Sequence, residues 1–313
     1  MARFVVTGCA GFIGSHLAAA LLERGDAVSG IDSFSDYYPR EAKERNLERA
    51  RPHEGFSFDE VDLLDADLDA IVSASDGVFH LAAQPGVRGS WGATFSVYTR
   101  DNVLVTQRVF EAAARAGTRV VFASSSSVYG DAESYPTSED ATPRPVSPYG
   151  VTKLTCEQLG YAYARHFDLT LVGLRYFSVY GPGQRPDMAF ARIVDGLLTG
   201  GTFTVYGTGK QTRDFTYVGD VVDATIKAMD RGPAGAVFNI GGGSEASLSD
   251  VIDLLGSLAG RKLETRHVPA ARGDVQRTAA DIRRAEAELG WRPRTSLRSG
   301  LAAQLEWAAT QHG

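Results

Sequence analysis

Thr7-Gly8-Cys9-Ala10-Gly11-Phe12-Ile13-Gly14 is the stretch that decides the fold. It follows the apolar run Phe4–Thr7 and opens an Ala- and Leu-rich segment, Ile13–Arg24. An apolar run that ends at glycine and passes into helix-like sequence reads as strand, turn, helix. Gly8 permits a tight turn, Gly11 lets backbone approach a pyrophosphate, and Gly14 lets the helix lie close on the sheet. The helix N-terminus then offers unpaired N–H groups to phosphate. Such a turn is weak evidence alone, but its surroundings agree. Ala27–Ile31 reads as a second strand, closed by Asp32. That carboxylate suits both hydroxyls of an adenine ribose and repels a 2′-phosphate, so NAD is expected rather than NADP.

Working outward, strand-like and helix-like stretches alternate. Arg40–Arg51 reads as an exposed helix, Phe56–Asp62 and Gly77–Leu81 as strands, Val103–Ala116 as a helix and Arg119–Ser124 as a strand. Tyr149–His166 and Thr170–Tyr176 repeat the pattern. This alternation predicts an α/β fold: a Rossmann-type, doubly wound parallel sheet. Four of the 12 prolines fall between Pro136 and Pro148, which marks a loop that ends at a helix start. After Tyr176 glycine and proline become frequent and strands shorten. Helices are expected at Asp220–Met229, Leu248–Leu258, Arg283–Leu289 and Leu297–Thr310, with a strand at Val237–Ile240. The expected division is an NAD-binding domain of residues 1–176 plus about 214–240, and a smaller C-terminal α/β substrate domain of about 177–213 plus 241–313.

Composition bounds the function. The 313 residues are 43% hydrophobic and 22% charged, which fits a globular protein rather than a disordered one. Lys+Arg 32 against Asp+Glu 38 gives a net charge of −6, with no basic surplus for nucleic acid or an anionic membrane. No apolar run reaches the length of a membrane span. The apolar start Met1–Val6 runs directly into the glycine turn and reads as a buried strand, not a leader. The two cysteines, Cys9 and Cys156, form no close pair, and the six histidines show no metal-ligand spacing. A reducing cytoplasm and no metal are expected.

Tyr149-Gly-Val-Thr-Lys153 places a phenol and an ammonium one helical turn apart on one face. A free tyrosine, with a pKa of about 10, is a poor base at neutral pH. The lysine cation and the positive nicotinamide of NAD both favour the phenolate, which makes the pair usable for general acid/base work.

The GxxGxxG spacing, with Tyr149 and Lys153, resembles the extended short-chain dehydrogenase/reductases, the family of NAD-dependent nucleotide-sugar epimerases and dehydratases. Asp62-Leu63, His80-Leu81-Ala82-Ala83-Gln84 and Asn102 also resemble that family's adenine-flanking pair, cofactor loop and structural asparagine. The resemblance implies cofactor contacts from Gly8, Gly11, Phe12, Ile13, Gly14, Asp32, Ser33, Asp62, Leu63, Leu81, Ala82, Ala83, Asn102, Tyr149, Lys153 and Tyr176. Aligned on Val128-Tyr129-Gly130, Ser125 matches the catalytic Ser/Thr, which joins Tyr149 and Lys153. The related 4,6-dehydratases carry Asp-Glu at the next two positions, and the UDP-xylose synthases a glutamate at the second. Here the pair is Ser126-Ser127, so dehydration is not expected, and Ser127 departs from the synthase pattern too.

Gly30–Tyr38, Gln84–Ser90 and Gly183-Gln-Arg-Pro-Asp-Met-Ala189 resemble, within that family, the UDP-glucuronic acid 4-epimerases. The resemblance implies a UDP-sugar substrate bound by Val87, Arg88, Ser125, Ser126, Ser127, Tyr149, Phe177, Ser178, Arg185, Met188, Arg213, Arg272 and Asp274. An arginine fork is the natural partner of a uronate carboxylate; Arg185 is the first choice and Arg88 the second. Arg213 is matched to the diphosphate, and Arg272-Gly-Asp274 to phosphate and ribose. A homodimer through helices near 103–116 and 149–166 is also implied. The alternatives are a UDP-glucose 4-epimerase, a UDP-xylose synthase, or a non-catalytic NAD-binding module, the last opposed by the presence of both Tyr149 and Lys153.

Overall fold

Successive residues of the first strand are buried in opposite directions. Phe4 and Val6 join one apolar cluster and Val5 another. A strand covered on both faces reads as a continuous apolar run, which is why Phe4–Thr7 shows no polar alternation. The computed structural model describes residues 1–270 and 273–312. Within them β1 (Arg3–Thr7), α1 (Phe12–Glu23), β2 (Ala27–Asp32), α2 (Arg40–Leu47), β3 (Phe56–Glu60), α3 (Leu68–Ser73) and β4 (Gly77–His80) come first. The short α4 (Phe95–Tyr98), α5 (Val105–Ala116), β5 (Val120–Ser125), α6 (Pro148–Phe167) and β6 (Leu171–Tyr176) follow.

Among the described residues, the main sheet has seven parallel strands. Their order is β3-β2-β1-β4-β5-β6, continued by a strand from the second half. One face carries α1 with Leu17 and Leu21; the other carries α3, α5 and α6 with Val72, Phe110 and Cys156. The chain order reverses between β1 and β4, and ligands bind beyond the C-terminal ends of strands at such a point.

The second half contains β7 (Ser178–Tyr180), α7 (Ala189–Thr199), β8 (Thr202–Tyr206), β9 (Thr212–Tyr217), α8 (Val218–Arg231), β10 (Val237–Ile240), β11 (Ser244–Ser247), α9 (Leu248–Ala259), β12 (Glu264–Val268) and α10 (Leu297–His312). Strand β10 pairs with β6 and ends the main sheet, while α8 packs beside α1. Ala285, Leu289 and Trp291 join that same cluster, and the Trp291 indole donates to the Asp220 carbonyl at 2.8 Å. Strands β11, β9 and β7 form a small sheet, and β12 with β8 another. Around them Phe190, Ile193, Val251, Leu255 and Leu301 make a separate core from α7, α9 and α10. No helix among the described residues is long and apolar enough to cross a membrane.

The segments read from sequence recur with local changes. The expected helix at 40–51 ends at Leu47. The one at 103–116 becomes regular only at Val105, after a π-turn over Thr99–Leu104. The helix at Arg283–Leu289 has π geometry over Ala285–Leu289. Pro148 does sit at a helix start, where the Ser147 hydroxyl accepts from Gly150 N–H at 3.1 Å. Helix α3, only six residues long, gave too few turns for a periodic signal.

Candidate active site

The glycine turn is fixed by contact rather than by side-chain capping. Gly8 has a left-handed φ of +70°, and a Cβ there would stand 2.8 Å from Ala82 N. A Cβ on Gly14 would stand 2.2 Å from the Gly8 carbonyl oxygen, so helix and turn touch backbone to backbone. Gly11 is the N-cap of α1 and supplies no side-chain acceptor, which leaves the first N–H groups of the helix for a ligand. This cradle opens into a cleft of about 770 Å³ above β1 and β4.

Asp32 closes β2 at the rim of that cleft. Its oxygens accept from Phe34 N–H at 2.9 Å and Ala10 N–H at 3.2 Å, which fixes the carboxylate and leaves lone pairs for ribose hydroxyls. Lys43 lies 3.5 Å from Asp32. It belongs to the helix expected to be exposed, yet is only 4% accessible. Asp62 accepts from Leu64 N–H at 2.9 Å and pairs with Arg100. Burial opposes its charge, but those two donors prevail and hold the carboxyl below its ordinary range. This uncapped helix start, the glycine cradle and a ribose-facing carboxylate together fit NAD.

The loop after β4 is clamped from behind. Asn102 is fully buried, accepts from Gln84 N–H at 2.7 Å and donates to Gln84 O at 3.1 Å. It also donates to the Thr152 hydroxyl at 3.0 Å, which ties the loop to α6. Asn102 is therefore one layer behind the cleft, while Leu81, Ala82 and Ala83 line it. Below them His80 is hydrogen-bonded to Thr7 at 2.8 Å and to Thr106 at 3.0 Å. Burial, and secondarily Lys153, pushes its imidazole down to about 3, so it is a neutral core group.

Helix α6 delivers Tyr149 and Lys153 to the same cleft. Lys153 donates to the Ala123 carbonyl at 2.9 Å and lies 6.0 Å from the centre of the Tyr149 ring. Tyr98, missed in the sequence, packs edge-on against Tyr149 with ring centres 6.3 Å apart, and donates to Pro85 O at 2.8 Å. Ser125, Ser126 and Ser127 line the cleft from the end of β5. The Ser125 hydroxyl accepts from Ser127 N–H at 3.1 Å and donates to the Ser127 hydroxyl at 3.0 Å. Behind this strand end, Ser124 donates to Glu157, which is paired with Arg175 at 2.7 Å; all three are buried. That network holds β5 against β6 and α6.

Phe12, Ile13, Ser33, Leu63, Val87, Tyr176, Phe177, Ser178, Arg185 and Met188 also line the cleft. Gln84, from the expected cofactor loop, lines it too, as do Tyr37, Tyr38, Lys43 and Asp101, to which no role was given. Arg88, Arg213 and Asp274 stand outside this lining. Arg88 pairs with Asp274 at 2.6 Å and lies 4.1 Å over the Tyr206 ring. Burial pulls the Arg213 pKa down, with Asp274 and Arg88 as its charged neighbours. The three thus form one group from three distant segments. Arg272 lies outside the described residues.

Residues 4–241 match the family model described as the NAD dependent epimerase/dehydratase family. The chain is 41% identical to a UDP-glucuronic acid 4-epimerase of Bacillus cereus solved with UDP-glucuronic acid and NAD; the match covers 99% of both chains with a TM-score of 0.96. It is 35% identical over 315 residues to the UDP-glucuronate 4-epimerase of Thermodesulfobacterium geofontis, across 98% of this chain and 96% of that one. It is 37% identical over 317 residues to the UDP-glucose 4-epimerase of Mycolicibacterium smegmatis, across 97% of this chain and 98% of the relative. The glycine cradle, the Tyr149–Lys153 face of α6 and these likenesses over nearly the whole length agree, and the chain belongs to the NAD-dependent epimerase/dehydratase family.

Proposed function

We propose that this protein inverts C4 of UDP-glucuronate to give UDP-galacturonate. The observation that carries the reading is that Arg185 lines the same cleft as Tyr149, Ser125, Ser126 and Ser127. A uronate carboxylate there meets a cation and neutral hydroxyl donors, and no acid stands at the two positions after Ser125. The likeness to the Bacillus cereus enzyme supports the same substrate.

When bound, NAD supplies a reversible hydride acceptor for C4, so no net redox occurs. Lys153 places its cation beside the Tyr149 ring, 6.0 Å from the ring centre. Tyr149 takes the proton of the 4-hydroxyl, and Ser125 orients that hydroxyl. The resulting 4-keto sugar turns about its diphosphate bonds and offers its other face. Arg213 and the Arg88–Asp274 pair hold the nucleotide through this turn. Tyr149 then returns the proton. Arg185 and the serines keep the C5–carboxylate bond near the ketone plane, which suppresses loss of carbon dioxide from the β-keto acid.

The NAD-binding unit is residues 1–176 with about 214–240, and the remainder holds the sugar nucleotide; β10 in the main sheet and the separate core of α7, α9 and α10 support this division. The protein pairs as a homodimer through α5 and α6, a reading supported by the exposed apolar Val151, Tyr161 and Phe167 along α6 and Leu104 just before α5. It works in the cytoplasm, where its free thiols Cys9 and Cys156 stay reduced. Incubating the protein with UDP-glucuronate and identifying products by NMR tests the activity. UDP-galacturonate is expected. Inversion of UDP-glucose alone would favour the second reading, a UDP-glucose 4-epimerase, for which the Mycolicibacterium smegmatis relative speaks.

A further inference from the structure

The Arg185 guanidinium is already held. Its Nε and Nη2 donate to the two carboxylate oxygens of Asp187, each at 3.0 Å. The Tyr37 hydroxyl donates to that carboxylate at 3.3 Å, and Arg185 stands 5.7 Å over the Tyr37 ring. Arg185 and Tyr37 line the cleft, whereas Asp187 does not. Asp187 therefore grips the arginine by one edge from outside the cleft. The planar fork keeps its Nη1/Nη2 edge for a second carboxylate in the same plane. Burial works against the arginine's charge, but the pairing with Asp187 prevails and holds it fully protonated. Burial first, and Asp187 next, push the Tyr37 phenol up to about 12, so it stays a donor at neutral pH.

Resting on the uronate reading above, we propose that Asp187 is a positioning residue. It fixes the plane of the Arg185 fork, and through that fork the orientation of the sugar carboxylate relative to Tyr149. A free arginine side chain has several rotamers, and a carboxylate bound to a wandering fork carries C4 away from the base. The effect is confined to substrates with a carboxylate.

The test compares Asp187→Ala and Asp187→Asn with the parent, all as NAD-loaded enzyme. Turnover of UDP-glucuronate is measured, with calorimetric binding of UDP-glucose as the control. The alanine variant is expected to lose at least about tenfold in kcat on the uronate. The asparagine variant, which keeps an acceptor for the fork, is expected to recover most of that loss. Affinity for UDP-glucose should stay within about twofold in both. Parental kcat in Asp187→Ala overturns the inference. So does an asparagine variant as slow as the alanine one, or an equal loss of UDP-glucose affinity. If Asp187→Ala does not accumulate folded, Asp187→Ser carries the same comparison. A parent that leaves UDP-glucuronate unchanged removes the functional reading itself, an outcome visible before any variant is made.

Discussion

The Lys153 ammonium stands 6.0 Å from the centre of the Tyr149 ring while donating at 2.9 Å to the Ala123 carbonyl. One residue thus ties the helix that carries Tyr149 to the strand that ends at Ser125. The cation is held by a backbone group, so it does not drift toward a carboxylate and leave the phenol alone.

Tyr149→Phe keeps the ring and its packing on Tyr98 but removes the proton acceptor. Turnover is expected to fall by at least about 10²–10⁴-fold, the usual range for a general base. Bound NAD per chain should match the parent. Sugar NMR together with cofactor content checks this, and substantial residual epimerisation would take the role away from Tyr149.

Arg185→Ala removes the charged donors offered to the uronate. A hydrogen bond to a charged group contributes about 1.5–3 kcal/mol, so KM for UDP-glucuronate should rise roughly 10- to 100-fold. UDP-glucose binding should be little changed. Steady-state kinetics with calorimetry decides, and an unaltered KM would refute the assignment.

Gly14→Ala drives a methyl group against the Gly8 carbonyl, at 2.2 Å if nothing moves. Overpacking of this kind costs about 1–3 kcal/mol. Both a lower Tm and a lower NAD content are expected, because the shifted turn is the phosphate cradle. A variant with parental values of both would disprove the close-packing account.

His80 links stability to acid. Its pKa falls from 6.5 to about 3 on folding, so between those values the unfolded chain binds the extra proton. Its contribution is complete above pH 6.5 and shrinks as pH falls toward 3. The loss is roughly 3 kcal/mol by pH 4. Denaturant unfolding of parent and His80→Gln across this window should show a shallower acid loss in the variant. Parallel curves would mean that His80 titrates normally.

The sequence disclosed most where neighbours along the chain are neighbours in space. Gly8, Gly11 and Gly14 share one turn, and Tyr149 and Lys153 share one helical face, so their spacing, with the strand and helix around it, pointed to the cleft. Lys43 misled because seven of the eight residues of α2 are polar or alanine, and nothing local reveals that this one lysine turns inward to Asp32. Asn102 could be matched to a motif, but its clamp on Gln84 needs the π-turn before α5 to meet the loop after β4.

The amino-acid order by itself determined the alternating fold, the glycine turn and the shared helical face of Tyr149 and Lys153, because strand and helix periods and turn stereochemistry act over a few residues. Only the tertiary structure decided that Tyr37 and Asp187, 150 positions apart, hold Arg185, and that Arg88 meets Asp274 across 186 positions. Such pairs depend on how the second half of the chain packs over the main sheet, and that packing is a sum of many weak, non-local contacts with no fixed spacing to read.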